Sequence, residues 1–185
     1  AKSALHGPAM FMANSGFILP GFPSFGAWAT YGLGSEADNL PAFVVLPDPR
    51  GLPPGGTVNW GAGFLPAVHQ GTPIGGGVPV DRATIHYLHD PNGDAKTQRA
   101  QLDLLGEMNR AHLTSVGTDA VLEAQIEAFE LAFRMQSEAP EAMDIDRETP
   151  ATRKLYGLDD PKTSSFARQC LLARRFSERG VRFVQ

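Results

Sequence analysis

Leu40-Pro41-Ala42-Phe43-Val44-Val45-Leu46-Pro47 is the stretch that decides the fold. A short run of apolar residues stands between two prolines with no polar interruption. Such a run fits a strand buried on both faces, as in a parallel sheet covered by helices. Upstream, Pro23-Ser24-Phe25-Gly26-Ala27-Trp28-Ala29-Thr30-Tyr31-Gly32-Leu33-Gly34 reads as a short helix, with Pro23 in its first turn and Gly34 at its end. Phe25, Trp28 and Ala29 fall on one face of it. At the other end of the chain a helix is predicted from about Ser164 to Arg179, with Phe166, Cys170, Ala173 and Phe176 on its inner side. Gly180 stops that helix, and Val181-Arg182-Phe183-Val184-Gln185 reads as a second strand. Helix–strand units at both ends argue for an α/β sheet.

Composition divides the chain. Residues 1–93 hold 28 Gly or Pro and residues 94–185 hold 7, so short elements and long loops are expected first and mostly helix afterwards. Residues 47–80 read as a Gly/Pro-rich loop with a helical turn near Phe64 to His69; a loop this long is usually functional. In the second half, Leu102, Leu105, Met108 and Leu113 mark a helical stripe ending near Gly117. Thr118 is placed as the cap of a second helix with the stripe Leu122, Ile126, Phe129 and Phe133, and the two helices are expected to form an antiparallel hairpin. After Pro140 an acidic linker (Glu141, Asp144, Asp146, Glu148) is expected, its Asp144 and Asp146 solvated, and then a short helix around Thr152 to Tyr156.

The 185 residues suffice for one domain with a real core. With net charge -4 and no basic cluster, nucleic acid is not an expected partner, and no apolar run approaches the length of a membrane span. The single cysteine, Cys170, excludes an internal disulfide and a cysteine-built metal site; its place on an apolar helix face reads as a small core residue. Because the chain opens on Ala1 and its last residues read as a strand at a cut edge, a fragment of a longer protein is expected. Two strands alone are too few for independent stability, so poor solubility or a molten state is expected of the isolated segment.

His6-Gly7-Pro8-Ala9, running into Asn14-Ser15-Gly16, carries the sharpest site reading. Pro8 suits a helix start and Gly16 a helix end, which puts His6 immediately before a helix N-terminus, where free N–H groups and the dipole attract anions. A neutral imidazole there can bind a divalent metal, act as acid or base, or attack directly; it can equally be a partly buried histidine hydrogen-bonded at a helix start. Gly7 would let an oxyanion approach the backbone, or is a turn glycine. Ser24 offers a second nucleophile or anion contact, or caps the helix that follows. Asn59 and Trp60 could line a pocket from the long loop, or cover the edge of the core. His86, His89 and Asp90 hint at metal, although surface histidines explain the same spacing.

The segment from His6 to Gly16 has the spacing of the sulfatase signature, in which a nucleophilic Cys or Ser is followed by any residue, then Pro-Ser-Arg, and a Thr-Gly pair closes the helix. His6 takes the nucleophile position, Pro8 the Pro, Ala9 the Ser, Met10 the Arg, and Ser15-Gly16 the Thr-Gly. More closely, the chain resembles a sulfatase-like family, domain of unknown function 1501, in the alkaline phosphatase superfamily. The resemblance rests on His6 to Ala9, Pro20 to Ser24, Trp28 to Glu36, Leu40 to Leu46, Trp60 to Pro66, Ala132 to Gln136, and Cys170 to Arg175 continuing through Val181 to Gln185. It implies a partial alkaline-phosphatase-like α/β sheet covered by helices, within a single domain whose residues 1–93 form the site half and 94–185 a helical half ending in a strand. It further implies an exported, metal-dependent hydrolase of sulfate or phosphate esters that uses zinc, calcium or magnesium, with a small-molecule or polysaccharide ester as substrate. Its acidic metal ligands would precede Ala1, and a Gly-Trp-Asp-x-His segment would follow residue 185. His6 is then the catalytic or metal-binding group, and Gly7, Ser24, Asn59 and Trp60 the anion or substrate contacts. No Cys, Ser or Thr stands at position 6 and no Arg at position 10. Those departures motivate the alternative of a non-catalytic binding or scaffold protein on the same fold.

Overall fold

The computed structural model describes residues 4–48, 50–74, 93–117 and 119–185. Three short parallel strands form its sheet, in the order β2–β1–β3: β1 (Phe43–Val45) is central, β2 (Thr72–Pro73) lies on one side and β3 (Phe183–Val184) on the other. Val44 pairs with Thr72 and with Val184, and Phe43 with Phe183. All three residues of β1 are buried, as its unbroken apolar run requires. β2 falls inside the stretch that reads from sequence as loop. At two residues, one of them Pro73, it is too short to leave a period-2 pattern.

Helices cover both faces, making an α/β fold. Side chains alternate across a strand. Val44 therefore faces a core built from Leu40, Ile74, Met135, Ala139, Ala142, Leu171, Leu172, Phe176 and Val181, with Val184 packed against it. Phe43 and Val45 face the other way, onto Trp60 and Phe183. The first side is covered by α6 (Ser164–Glu178) and the C-terminal part of α4 (Ala120–Met143); the second by α2 (Phe25–Leu33) and a 3-10 turn at Gly56–Trp60.

Two helices turn inward faces that apolarity alone does not rank first, and for α6 this differs from the inner side expected. In α2 the buried residues are Gly26, Ala27 and Thr30, while Phe25 and Trp28 remain exposed. A Cβ on Gly26 would lie 2.5 Å from the Phe43 ring and 2.6 Å from the Phe183 ring, so the sheet's own aromatics fill the space that helix aromatics would need. In α6 the inner residues are Ala167, Leu171, Leu172, Arg175 and Phe176; Phe166 is exposed and Cys170 only half-buried. The helix is rotated because the chain must reach β3 through Gly180. That residue has φ 85°, and any Cβ would strike the backbone of Glu36 and Ala37.

The hairpin is present. α3 (Ala95–Val116) starts on Asp94, whose carboxylate accepts the Thr97 N–H at 2.8 Å, and ends at Gly117. It is tied to α4 by a two-pronged Arg99–Glu130 pair and a Gln136–Gln98 bond at 2.9 Å. Leu105 and Met108 of the predicted stripe remain exposed. Thr118 lies outside the described residues. Asp119 accepts the Leu122 N–H at 3.1 Å at the start of α4.

α4 does not stop at Pro140 but continues one turn, to Met143. Burial of Met135, Ala139 and Ala142 outweighs the local break. The end of the helix is then capped from outside, because the Arg175 guanidinium donates to the carbonyls of Glu141 (2.7 Å) and Ala142 (2.8 Å). The same guanidinium donates to Glu148 at 2.6 Å, which Arg174 also reaches at 2.6 Å. Of the acidic linker, Asp144 and Asp146 stay near the surface, paired with Arg147 and Arg153, while Glu148 is drawn inward. α5 (Pro150–Tyr156) follows, capped by the Thr149 hydroxyl and closed by Gly157.

Candidate functional site

In open parallel sheets, ligands bind in the crevice beyond the carboxyl ends of the strands. Here β1 runs out into Leu46-Pro47 and β3 into Gln185, and a cleft of about 560 Å³ opens at that edge. Its lining includes Leu46, Asp48, Arg50, Leu52, Trp60 and Gln185. Its floor is held by backbone: Leu46 N–H donates to Gln185 at 2.7 Å, and Gln185 N–H to Val44 at 2.9 Å. The Gln169 amide reaches over from α6 and donates to the Pro47 carbonyl at 2.8 Å and to the Leu46 carbonyl at 3.3 Å.

Asp48 and Arg50 form the polar part of this cleft. The Asp48 carboxylate accepts from the Arg50 side chain at 2.6, 3.0 and 3.1 Å and from the Arg50 N–H at 2.8 Å. The guanidinium bonds, followed by the backbone bond, hold the Asp48 carboxyl down at about 2. The Arg50 pKa is raised by the same contact. The pair is exposed, so it is charged on both sides across the neutral range and open to solvent.

Trp60, a sequence-predicted contact, lines this cleft and is almost fully buried. Asn59 stands behind it, with every polar atom engaged. Its amide donates to the carbonyls of Pro54 (3.0 Å) and Gly56 (2.9 Å), and its oxygen accepts from Asn14 at 3.1 Å. Asn14 in turn accepts from the Gln185 amide at 3.3 Å. Asn59 therefore braces the loop and the C-terminal end of α1 (His6–Ser15) against the sheet edge.

α1 begins one residue earlier than the sequence predicts. Leu5 is its N-cap, without a side-chain cap bond, and His6 is the first helical residue, with Pro8 the third. Pro8 has no N–H, and the Ala9 N–H is taken by the Leu5 carbonyl at 3.0 Å. His6 and Gly7 are left as the N–H groups of the first turn without an intrahelical acceptor. The His6 side chain is exposed, a Cβ on Gly7 would meet open space, and neither residue lines the cleft at the strand ends. Asn14 touches that cleft's rim through Gln185, and His6 lies about 12 Å from it along the helix axis.

Ser24 is buried at the N-cap of α2. Its hydroxyl accepts the Ala27 N–H at 3.4 Å, and its own N–H donates to Gly61 at 3.1 Å. The structure thus brings Trp60 and Asn59 together at the sheet edge, holds Ser24 inside the start of α2, and leaves His6 and Gly7 at the far end of α1. His86, His89 and Asp90 lie outside the described residues. Among the described residues no group of three or more His, Cys, Asp or Glu side chains could hold a metal ion, so these residues by themselves do not fit a divalent cation. No helix among them is long and apolar enough to cross a membrane.

Three groups were not singled out from sequence: Asp48, Arg50 and Gln169. For the first two a signal exists, the sequence Asp-Pro-Arg-Gly shortly after the buried strand, at the edge where parallel sheets bind ligands. Gln169 carries no such signal, since its bond spans more than 120 residues.

No curated protein and no solved structure matches the chain. A family model does, over residues 1–185, with the description Protein of unknown function (DUF1501). The chain belongs to that family.

Proposed function

We propose that this chain is part of a sulfatase-like hydrolase of the alkaline phosphatase superfamily, exported and acting on sulfate or phosphate esters, small or polysaccharide-borne. One observation carries the reading: a parallel sheet, helix-covered on both faces, opens at its carboxyl edge into a cleft of about 560 Å³ that has an exposed guanidinium beside apolar walls. That volume and that mix of lining suit a small organic ester. The Arg50 guanidinium offers charge-assisted hydrogen bonds to the ester oxyanion, and Trp60, Leu46 and Leu52 give its organic part an apolar wall. The correspondence of His6 to Gly16 with the sulfatase signature supports the same reading, with His6 and Gly7 as the group and backbone nearest a second anion contact. The divalent cation of the superfamily belongs to the proposal for the full-length protein. His6 is the metal ligand proposed here, and among the described residues it stands in no group of three or more metal-binding side chains.

The test is release of nitrophenolate from 4-nitrophenyl sulfate and 4-nitrophenyl phosphate by the purified full-length protein, with zinc, calcium or magnesium and then with chelator. Turnover that chelator abolishes and Arg50→Ala weakens is the expected result. Absence of turnover with every metal and both esters contradicts it.

A specific observation favours a second reading, a binding or scaffold protein on the same fold. Ala9 and Met10 stand where the signature has Ser and Arg, and the His6 side chain is exposed outside the cleft. Elemental analysis separates the two, because stoichiometric bound metal in the full-length protein opposes the scaffold reading and a metal-free protein supports it.

A further inference from the structure

Outside the cleft, the outer face of α2 is left unexplained. Phe25 is 66% exposed, Trp28 45%, Tyr31 54%, and Phe64 beside them 66%. The rings are contiguous: Phe17 stacks on Phe22 at 3.8 Å, Phe22 meets Phe64 at 6.5 Å, Phe64 meets Trp28 at 5.8 Å, and Trp28 meets Tyr31 at 6.0 Å. Ile18 and Leu19, next in sequence to Phe17, and Leu33, two residues after Tyr31, are exposed as well. From Ser3 to Ser35 the sequence holds no Asp, Glu, Lys or Arg. The Glu36–Arg182 pair stands beyond Leu33, and Tyr31 packs edge-on against His69 at 5.3 Å, which Glu127 faces in turn.

The area decides what such a face needs. With aromatic side chains of about 200 Å² each, the exposed rings alone present roughly 500 Å², and the aliphatic ends raise this to about 900 Å². A monomer leaves about 300–600 Å² in its largest apolar patch, whereas a stable interface takes about 800 Å² from each partner. The matching surface must itself be apolar and free of charge. Charges punctuate the exposed apolar residues of α3, through Asp103, Glu107 and Arg110, and at the groove beside α5 the large exposed apolar side chains are Leu155 and Phe166 alone among the described residues. The α2 face is its own best complement.

We infer that this face is the contact surface between two copies of the chain, α2 against α2 about a two-fold axis. The contact is isologous, so each residue meets the same patch on its mate and the assembly closes at two. Gly32, with open space around its α-carbon, lets the two helices approach.

Sedimentation velocity and light scattering of the purified full-length protein across the micromolar range test this. The expected mass is twice that of one full-length chain. It should fall to a single chain for Trp28→Glu and Tyr31→Glu with helical circular dichroism retained, and stay doubled for Leu155→Glu. Should the charged variants lose their fold, Gly32→Cys in a Cys170→Ser background should cross-link two copies under mild oxidant, while Leu155→Cys in the same background does not. A single-chain mass at every concentration overturns the inference. So do a mass that grows past two without a plateau, and co-sedimentation of single chains with phosphatidylcholine vesicles.

Discussion

α2 and α6 pack on opposite faces of the same strands with opposite kinds of side chain. On the α6 side the sheet contributes the aliphatic Val44 and Val184, and the helix supplies the bulk through Leu171, Leu172 and Phe176. On the α2 side the sheet contributes Phe43 and Phe183, edge to face at 5.2 Å, and the helix supplies Gly26, Ala27 and Thr30. Protein interiors are filled to near-crystalline density, so volume given by one layer must be withheld by the other. The consequence reaches the surface. A helix that spends its small residues on the core turns its aromatics to water, and that surface is the one inferred to pair with a second copy.

The comparison can be broken most forcefully from the α6 side. Phe176 is fully buried there, and Phe176→Ala should cost about 3–5 kcal/mol, because the rigid sheet cannot collapse into the void. Urea denaturation measures it. A loss near 1 kcal/mol would mean that the α6 side is as loosely filled as a surface. The polar seam behind α6 gives a smaller effect. Glu148→Gln weakens charged hydrogen bonds from Arg174 and Arg175, a loss on the order of 2 kcal/mol. The Arg174 and Arg175 contacts hold the Glu148 pKa below its ordinary 4.5. Its contribution is therefore fully present above that value and is lost as pH falls through the lowered folded value. The stability gap between wild type and Glu148→Gln should be constant at neutral pH and shrink on acidification below 4.5; a gap that widens there reverses the sign and refutes the assignment.

How much was legible in the sequence follows the same division. β1 was readable because burial on both faces leaves an unbroken apolar run, and the entry to β3 because Gly180 has to adopt a positive φ. The hairpin followed from helical spacing. The inner face of α2 was not readable, since apolarity ranks Phe25 and Trp28 above Gly26, and only the distant Phe43 and Phe183 reverse that order. Pro140 misled for a related reason: a local helix breaker is overruled by Ala139 and Ala142 in the core and by Arg175, which caps the helix end from 33 and 34 residues away. At the site, the reading of Trp60 left pocket and core open, and Trp60 borders both. Asp48 and Arg50 were passed over because a loop carries no periodicity. Their significance comes from standing at the carboxyl edge of the sheet.

Two glycines six positions apart in one helix, Gly26 and Gly32, test the central claim directly. Ala is the better helix former by about 1 kcal/mol, so propensity alone stabilises both Gly26→Ala and Gly32→Ala. Gly32 has open space, and its substitution should raise stability by up to about 1 kcal/mol. Gly26 lies against the Phe43 and Phe183 rings, and its substitution should lower stability by about 1–3 kcal/mol through overpacking. Opposite signs in paired urea titrations are the predicted result; a stabilising Gly26→Ala would contradict the account.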